Sequence, residues 1–168
     1  MDIHWTCSRH GDGIERIYTH IRGEALRDNV TDKEEKLGTF KAIHVDISEA
    51  LKHLECPSDL MNYKHQGWEE LYPYLRYCAP KNFLYLQEVK VDPAFRRSGV
   101  MRRIVDDLAG TWANEEIVIY PEPLDVKDPV AKLDLIMWYE NVGFIERRFW
   151  HTQPSPGYKA SVMVKMPS

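Results

Sequence analysis

The sequence is poor in cysteine, has no long apolar run and carries no excess of positive charge. Its three cysteines, Cys7, Cys56 and Cys78, are odd in number and widely spaced, so no disulfide framework is expected and a reducing, cytoplasmic setting is. No stretch reaches the apolar length a bilayer requires, and Met1-Asp2-Ile3-His4-Trp5-Thr6-Cys7 lacks the basic start and apolar core of a signal peptide. Neither a membrane span nor a secretory leader is expected. Lys and Arg number 22 against 26 Asp and Glu, a net charge of -4, which disfavours generic nucleic-acid binding. Cys7 and His10 with His53 and Cys56 would form a Cys2His2 set on paper, but the spacing is not that of a zinc finger, and no metal is expected. Internal repeats and domain linkers are also missing.

What is present fits one globular domain over residues 1–168. The composition is 43% hydrophobic and 29% charged. A chain of this size buries roughly two-thirds of its unfolded surface and needs no staple. Ile3 to Cys7 reads as a strand, and Ile14, Ile17, Tyr18 and Ile21 suggest a helix after Gly13, with Asp12 as cap. Leu26 to Lys36 is polar and loop-like, and Phe40 to Ile47 alternates as a strand. A helical insertion is expected over about 48–82, with Ser48 capping a short helix to Glu55 and a second segment from Trp68 to Tyr77 interrupted at Pro73. Phe83 to Val91 reads as a central strand and Ile117 to Tyr120 as a short buried one. Pro129 opens a helix to about Asn141 that is apolar nearly all round, hence expected to be buried, with Gly143 as its C-terminal cap. Phe144 to Trp150 and Tyr158 to Met166 complete a hairpin about Pro154-Ser155-Pro156-Gly157. The class is α/β (α+β): a mixed sheet with helices on both faces.

The most informative stretch is Val91-Asp92-Pro93-Ala94-Phe95-Arg96-Arg97-Ser98-Gly99-Val100. A strand breaks at a proline turn into arginines, a serine and a glycine. Met101, Ile104, Val105, Leu108 and Trp112 then recur at helical spacing, with Arg102, Arg103, Asp106 and Asp107 between them, so a helix starts near Ser98 or Gly99. Free N–H groups at a helix N-terminus, a glycine that lets a ligand approach and a local cluster of arginines together suit a bound phosphate. An ordinary strand-turn-helix with a solvated basic end accounts for the same residues.

This stretch resembles the signature of the GCN5-related N-acetyltransferases, which reads Q/RxxGxG/A and stands here as Arg96-Arg97-Ser98-Gly99-Val100-Met101. A second similarity lies downstream, where Trp138-Tyr139-Glu140-Asn141-Val142-Gly143-Phe144 looks like the end of the family's "fYeklGF" helix. Together the motifs span Phe83 to Ser168. Three positions depart from the family pattern: Met101 stands where it is small, Lys132 and Leu135 where it has Asn and Ala, and Gln87 where many members carry a Glu on the fourth strand, with Glu88 adjacent. Glu88 replaces that Glu only if a bulge re-aims it.

The resemblance implies a mostly antiparallel twisted sheet of about six to seven strands and direct transfer of an acetyl group from acetyl-CoA to a primary amine. The acceptor would be a small amine, an amino acid or a protein amine, attacking within a ternary complex. It further implies cofactor contacts along Val89, Val91, Arg96, Arg97, Ser98, Gly99, Val100, Met101 and Arg102, with the pyrophosphate on the amides of the first motif. An amide near Val89 or Lys90 would hold the thioester oxygen, and Tyr139 would be the general acid at the leaving sulfur. Glu88 is the first choice for the base, Glu122 the second, and a water relay stands beside them. Tyr63, Trp68, Tyr72, Tyr74 and Tyr77, with Glu69 and Glu70, form either an amine-binding surface or a helical cover on the sheet. Net acidity leans toward a cationic amine, a polyamine or a basic protein tail. A homodimer with exchanged C-terminal hairpins is compatible with the sequence. The competing reading is a non-catalytic protein of the same fold whose cofactor turn has decayed at Met101.

Overall fold

Seven strands form one sheet in the computed structural model, which describes residues 1–9, 17–28, 34–56, 59–60, 71–78, 81–121, 129–150 and 159–167. The strands are β1 (Asp2–Ser8), β2 (Tyr18–Asp28), β3 (Glu34–Val45), β4 (Phe83–Val91), β5 (Glu116–Ile119), β6 (Phe144–Trp150) and β7 (Lys159–Lys165). They lie in the order β1-β2-β3-β4-β5-β7-β6, with β4 and β5 parallel and every other neighbouring pair antiparallel. Four α-helices, α1 (Ile47–Ala50), α2 (Tyr72–Tyr77), α3 (Val100–Thr111) and α4 (Pro129–Asn141), and a 3-10 turn over Pro93–Phe95 complete the described elements. The parallel pair is joined through α3, the crossover that parallel strands need.

Strand alternation sorts the core into two layers. Leu84 and Leu86 of β4 and Ile117 and Ile119 of β5 face α3 and α4, where Val100, Ile104, Val105, Leu108 and Tyr139 are buried. Phe83, Tyr85 and Val118 face the other way, onto Ile47 and Ala50 of α1 and Tyr74 and Leu75 of α2. Full burial of each such aliphatic side chain contributes about 1.5–3 kcal/mol. Tyr74 also ties α2 to β5, its hydroxyl donating to the Glu116 carboxylate at 2.5 Å.

Several expectations change. Tyr18 to Asp28 is a strand, not the continuation of a helix from Gly13; residues 10–16 lie outside the described residues. The inward row of β2 is Ile21, Gly23 and Ala25, too small in its middle to show a period of two. The polar stretch after Leu26 is strand at both ends, its charges matched across β2 and β3 by Arg27 with Glu35 and Glu24 with Lys36. The cap of α1 is Asp46 rather than Ser48, its carboxylate accepting from the Glu49 N–H at 2.9 Å. Pro73 sits in the first turn of α2 and does not interrupt it, because an N–H there has no helical partner to lose. Trp68 lies outside the described residues. α4 is not buried all round: Val130, Leu133 and Met137 are 65%, 57% and 52% exposed, while Tyr139 is buried and Leu135, Ile136 and Trp138 pack against the core.

Two glycines are required by close approach. A Cβ on Gly23 would meet the Phe40 ring at 2.2 Å and the His4 carbonyl at 2.9 Å, so the glycine is what lets Phe40 lie across β2. On Gly38 it would meet the Lys90 carbonyl at 2.6 Å. That obstacle is backbone and cannot rotate away. Gly38→Ala is therefore expected to destabilise the protein by about 1–3 kcal/mol, read as a lower urea midpoint. A midpoint unchanged from the parent would show that β3 and β4 can part there without cost.

Candidate functional site

β4 is longer than its parallel partner. Phe83 to Leu86 lie beside Glu116 to Ile119, but β4 continues through Gln87 to Val91 with no β5 pairing among the described residues, held only by β3 on its other side. Every second residue of that stretch turns its N–H and C=O toward the unpaired side. The divergence coincides with an irregularity in the β3–β4 register: Lys41 pairs with Glu88 and Ala42 with Leu86, so Gln87 is the extra residue of a bulge.

The bulge reverses the alternation. Leu84 and Leu86 face α3 before it, and Val89 and Val91 pack against that same layer after it. Glu88 is thereby turned to the opposite face, with Tyr85 and Lys41. Its carboxylate stands 3.3 Å from the Lys41 ammonium and 3.1 Å from that of Lys90. Partial burial pushes the Glu88 pKa up, but hydrogen bonds and charge from Lys90 and Lys41 outweigh it and hold the carboxyl below the usual glutamate range. A depressed folded-state pKa adds stability above the unfolded value, and that contribution is lost as pH falls through the folded one. Glu88→Gln is expected to cost up to about 1 kcal/mol at pH 7, a difference that closes below about pH 4 in urea melts at the two pH values. An equal cost at both would show that the charge contributes nothing.

After Val91 the chain is fastened and then turned sharply. The Asp92 N–H donates to the Leu37 carbonyl at 2.9 Å, and the Asp92 carboxylate accepts from the Ala94 N–H at 2.9 Å, capping a short 3-10 turn over Pro93–Phe95. Ser98 folds back, its hydroxyl donating to the Phe95 carbonyl. Arg97 has φ 67° and Gly99 φ 86°, with Ser98 between them on the ordinary side of the map. Alternation of this kind points successive N–H groups into one concavity, a nest for an anion. α3 begins immediately afterwards, and its first hydrogen bond runs from the Arg103 N–H to the Gly99 carbonyl at 3.0 Å. The N–H groups of Val100, Met101 and Arg102 therefore have no partner within the helix. A Cβ added to Gly99 would touch nothing within 4 Å, so the turn opens onto free space and glycine is needed for its φ alone.

The side chains of the turn divide by role. Arg96, Arg97, Ser98 and Arg102 are exposed, Val100 is buried, and Met101 packs against the core layer under α3. Met101 therefore points down rather than into the turn. The Arg102 guanidinium donates to the Asn141 carbonyl at 3.4 Å and Lys165 donates to the Val142 carbonyl at 2.6 Å, two cations at the C-terminus of α4, where the helix dipole favours them. Gly143 takes φ 93° there, as a C-terminal cap requires. One turn earlier Tyr139 is 3% exposed, its ring 5.1 Å from that of Trp138 and 5.2 Å from that of Phe144. Burial drives its phenol pKa well above the ordinary value, so the group stays protonated. Tyr139 and the turn share the α3 face, whereas Glu88 stands on the other. Glu122 lies outside the described residues, as do Tyr63, Glu69 and Glu70.

The face that carries Glu88 also holds a cavity of about 780 Å³ over β1 to β3. His4, Thr6, Arg22, Glu24, Thr39 and Lys41 line it, while Ile3, Trp5 and Phe40 between them belong to the opposite layer. The wall is hidden in the sequence because Ile14, Ile17, Tyr18 and Ile21 follow a helical period into the start of β2; the charge alternation Arg22, Glu24 around Gly23 is the signal that marks it.

No protein-family model and no curated protein matches the sequence. Among solved structures the chain is similar to the Corynebacterium glutamicum protein called histone acetyltransferase HPA2 and related acetyltransferase, at 13% identity and a TM-score of 0.47, covering 90% of this chain and 66% of that one. It is also similar to a chain of the NatC complex bound to Gag peptide and CoA, at 13% identity and TM-score 0.45 over 100% of both chains. A third similar structure is the Drosophila melanogaster polyamine N-acetyltransferase that forms N-acetylagmatine, at 12% identity and TM-score 0.42, covering 88% of this chain and 74% of that one. The chain thus spans about two-thirds of the first of these proteins. At that level of likeness it is the residues of this chain, not its neighbours, that must carry a functional conclusion.

Proposed function

We propose that the chain is a GCN5-related N-acetyltransferase that moves an acetyl group from acetyl-CoA to a primary amine. One observation carries the reading: the strand that runs unpaired past β5 leads directly into a left-handed, N–H-lined turn at the start of α3. Residues Arg96 to Arg102 fit a pyrophosphate, since the free amides and the dipole at the start of α3 face an open space in a locally cationic stretch. The exposed backbone of Val89 to Val91 would then take the pantetheine by strand-like hydrogen bonds.

When bound, acetyl-CoA supplies an activated carbonyl and a thiolate leaving group. An N–H of β4 near Val89 or Lys90 would steady the developing oxyanion, because a backbone donor fixed by the β3 ladder pays no reorganisation at the moment of reaction. Tyr139, held protonated by burial, would donate to the leaving sulfur. Glu88 would draw the amine to the edge of β4 and accept its proton directly or through water. Its two lysines reduce its basicity, so position counts for more than proton affinity.

The decisive experiment is thiol release from acetyl-CoA across a panel of primary amines, with calorimetric titration of acetyl-CoA beside it. Binding with turnover on some amines is the expected result. Failure to bind acetyl-CoA at high micromolar concentration would reject the proposal and favour a non-catalytic protein of this fold.

A further inference from the structure

The register of β1 to β4 places Thr6, Arg22, Lys41 and Glu88 side by side in one row and His4, Glu24, Thr39 and Lys90 in the next, all on the face opposite α3. The charges in these rows are unevenly matched. Glu24 is paired with Lys36, and the single carboxylate of Glu88 is shared by Lys41 and Lys90. Arg22, which lines the cavity, has no ion pair or hydrogen bond among the described residues. Within the two rows Arg22, Lys41 and Lys90 stand against Glu24 and Glu88, a surplus of one positive charge on a chain whose net charge is -4.

We infer that the acceptor amine carries an anionic group, a carboxylate or a phosphate, and that Arg22 receives it in the cavity beside Glu88. This rests on the acyltransferase reading above and adds the class of acceptor. A guanidinium presents a planar fork of donors that matches either anion bidentately, and the hydroxyls of Thr6 and Thr39 stand on the same cavity wall. Neighbouring strands are about 4.8 Å apart, so Arg22 on β2 stands roughly 10 Å from Glu88 on β4. An acceptor that reaches both therefore has its amine and its anion separated by several bonds. A polyamine would instead place its second cation against an uncompensated guanidinium, contrary to the lean drawn from the acidic composition.

Calorimetry with three probes tests this: 5-aminopentanoate, pentylamine and 1,5-diaminopentane, each titrated into the full chain and into Arg22→Met, which keeps the side-chain stem. Affinity for 5-aminopentanoate is expected to exceed that for the other two by about tenfold or more, and Arg22→Met to remove the difference. Equal affinities, tighter binding of the diamine, no binding of 5-aminopentanoate at millimolar concentration, or an Arg22→Met variant that still discriminates would each overturn the inference. Acetyl-CoA titrated in parallel keeps the two ideas apart. Intact acetyl-CoA binding without discrimination rejects only the anionic acceptor, whereas loss of acetyl-CoA binding rejects the acyltransferase and leaves the probe comparison standing.

Discussion

Gly99→Val is expected to weaken acetyl-CoA binding by at least two orders of magnitude while leaving a folded protein. Gly99 holds φ 86°, where a residue with a Cβ pays about 1–2 kcal/mol and a β-branched one more. The chain can relieve that strain by rotating the turn back to negative φ, but the free N–H groups of Val100, Met101 and Arg102 then lose their shared direction. The added side chain meets no protein atom within 4 Å of its Cβ, so steric damage to the fold is not the cause. Instead it occupies the space in which a pyrophosphate would sit. A thermal melt should show a loss of only a few degrees, as about 1–2 kcal/mol implies for a chain of this size. Calorimetry that returns the parent's acetyl-CoA affinity would remove the turn from the binding site, and with it the main support for the proposed function.

Tyr139→Phe should lower turnover about a hundredfold and leave acetyl-CoA affinity within a factor of about two. The substitution keeps the ring between Trp138 and Phe144 and removes only the hydroxyl, so the α4 side of the core survives. Because burial raises the phenol pKa, the hydroxyl remains a donor across the working range, and no alkaline limb below about pH 10 should belong to it. The folded state binds the proton more tightly than the unfolded one, so the hydroxyl's contribution to stability is complete below the ordinary tyrosine pKa and declines as pH rises beyond it. Stability of the parent should therefore fall faster than that of Tyr139→Phe above about pH 10. An unchanged turnover rate would exclude Tyr139 as the acid and leave it a core residue.

Met101 illustrates how the same residue reads differently at two levels. In the sequence it stands where the resembled family is small, and it could signal a decayed phosphate turn. In the fold it packs beneath α3 against the buried layer, while the turn takes its shape from Arg97 and Gly99. Glu88 is the converse case. Alternation alone would send it toward α3 with Leu84 and Leu86, and one extra residue at Gln87 sends it to the opposite face.

The sequence alone determined the central strand Phe83–Val91, the amphipathic α3 with its glycine turn, α4 from Pro129 to its Gly143 cap, and the C-terminal strands. Each carries its own local signal: an apolar run, a helical period, a proline or a glycine whose backbone preference is intrinsic. Tertiary structure decided what depends on a partner strand or a neighbouring layer. β2 exists as a strand because Gly23 makes room for Phe40 and because Glu24 and Arg27 find opposite charges on β3, and neither fact is local. One face of α4 is left apolar and exposed because nothing among the described residues covers it. The polar rows that end at Glu88 and Lys90 arise only when four strands fall into register, since residues as distant in sequence as Thr6 and Glu88 come into one row through hydrogen-bonded pairing and not through any spacing along the chain.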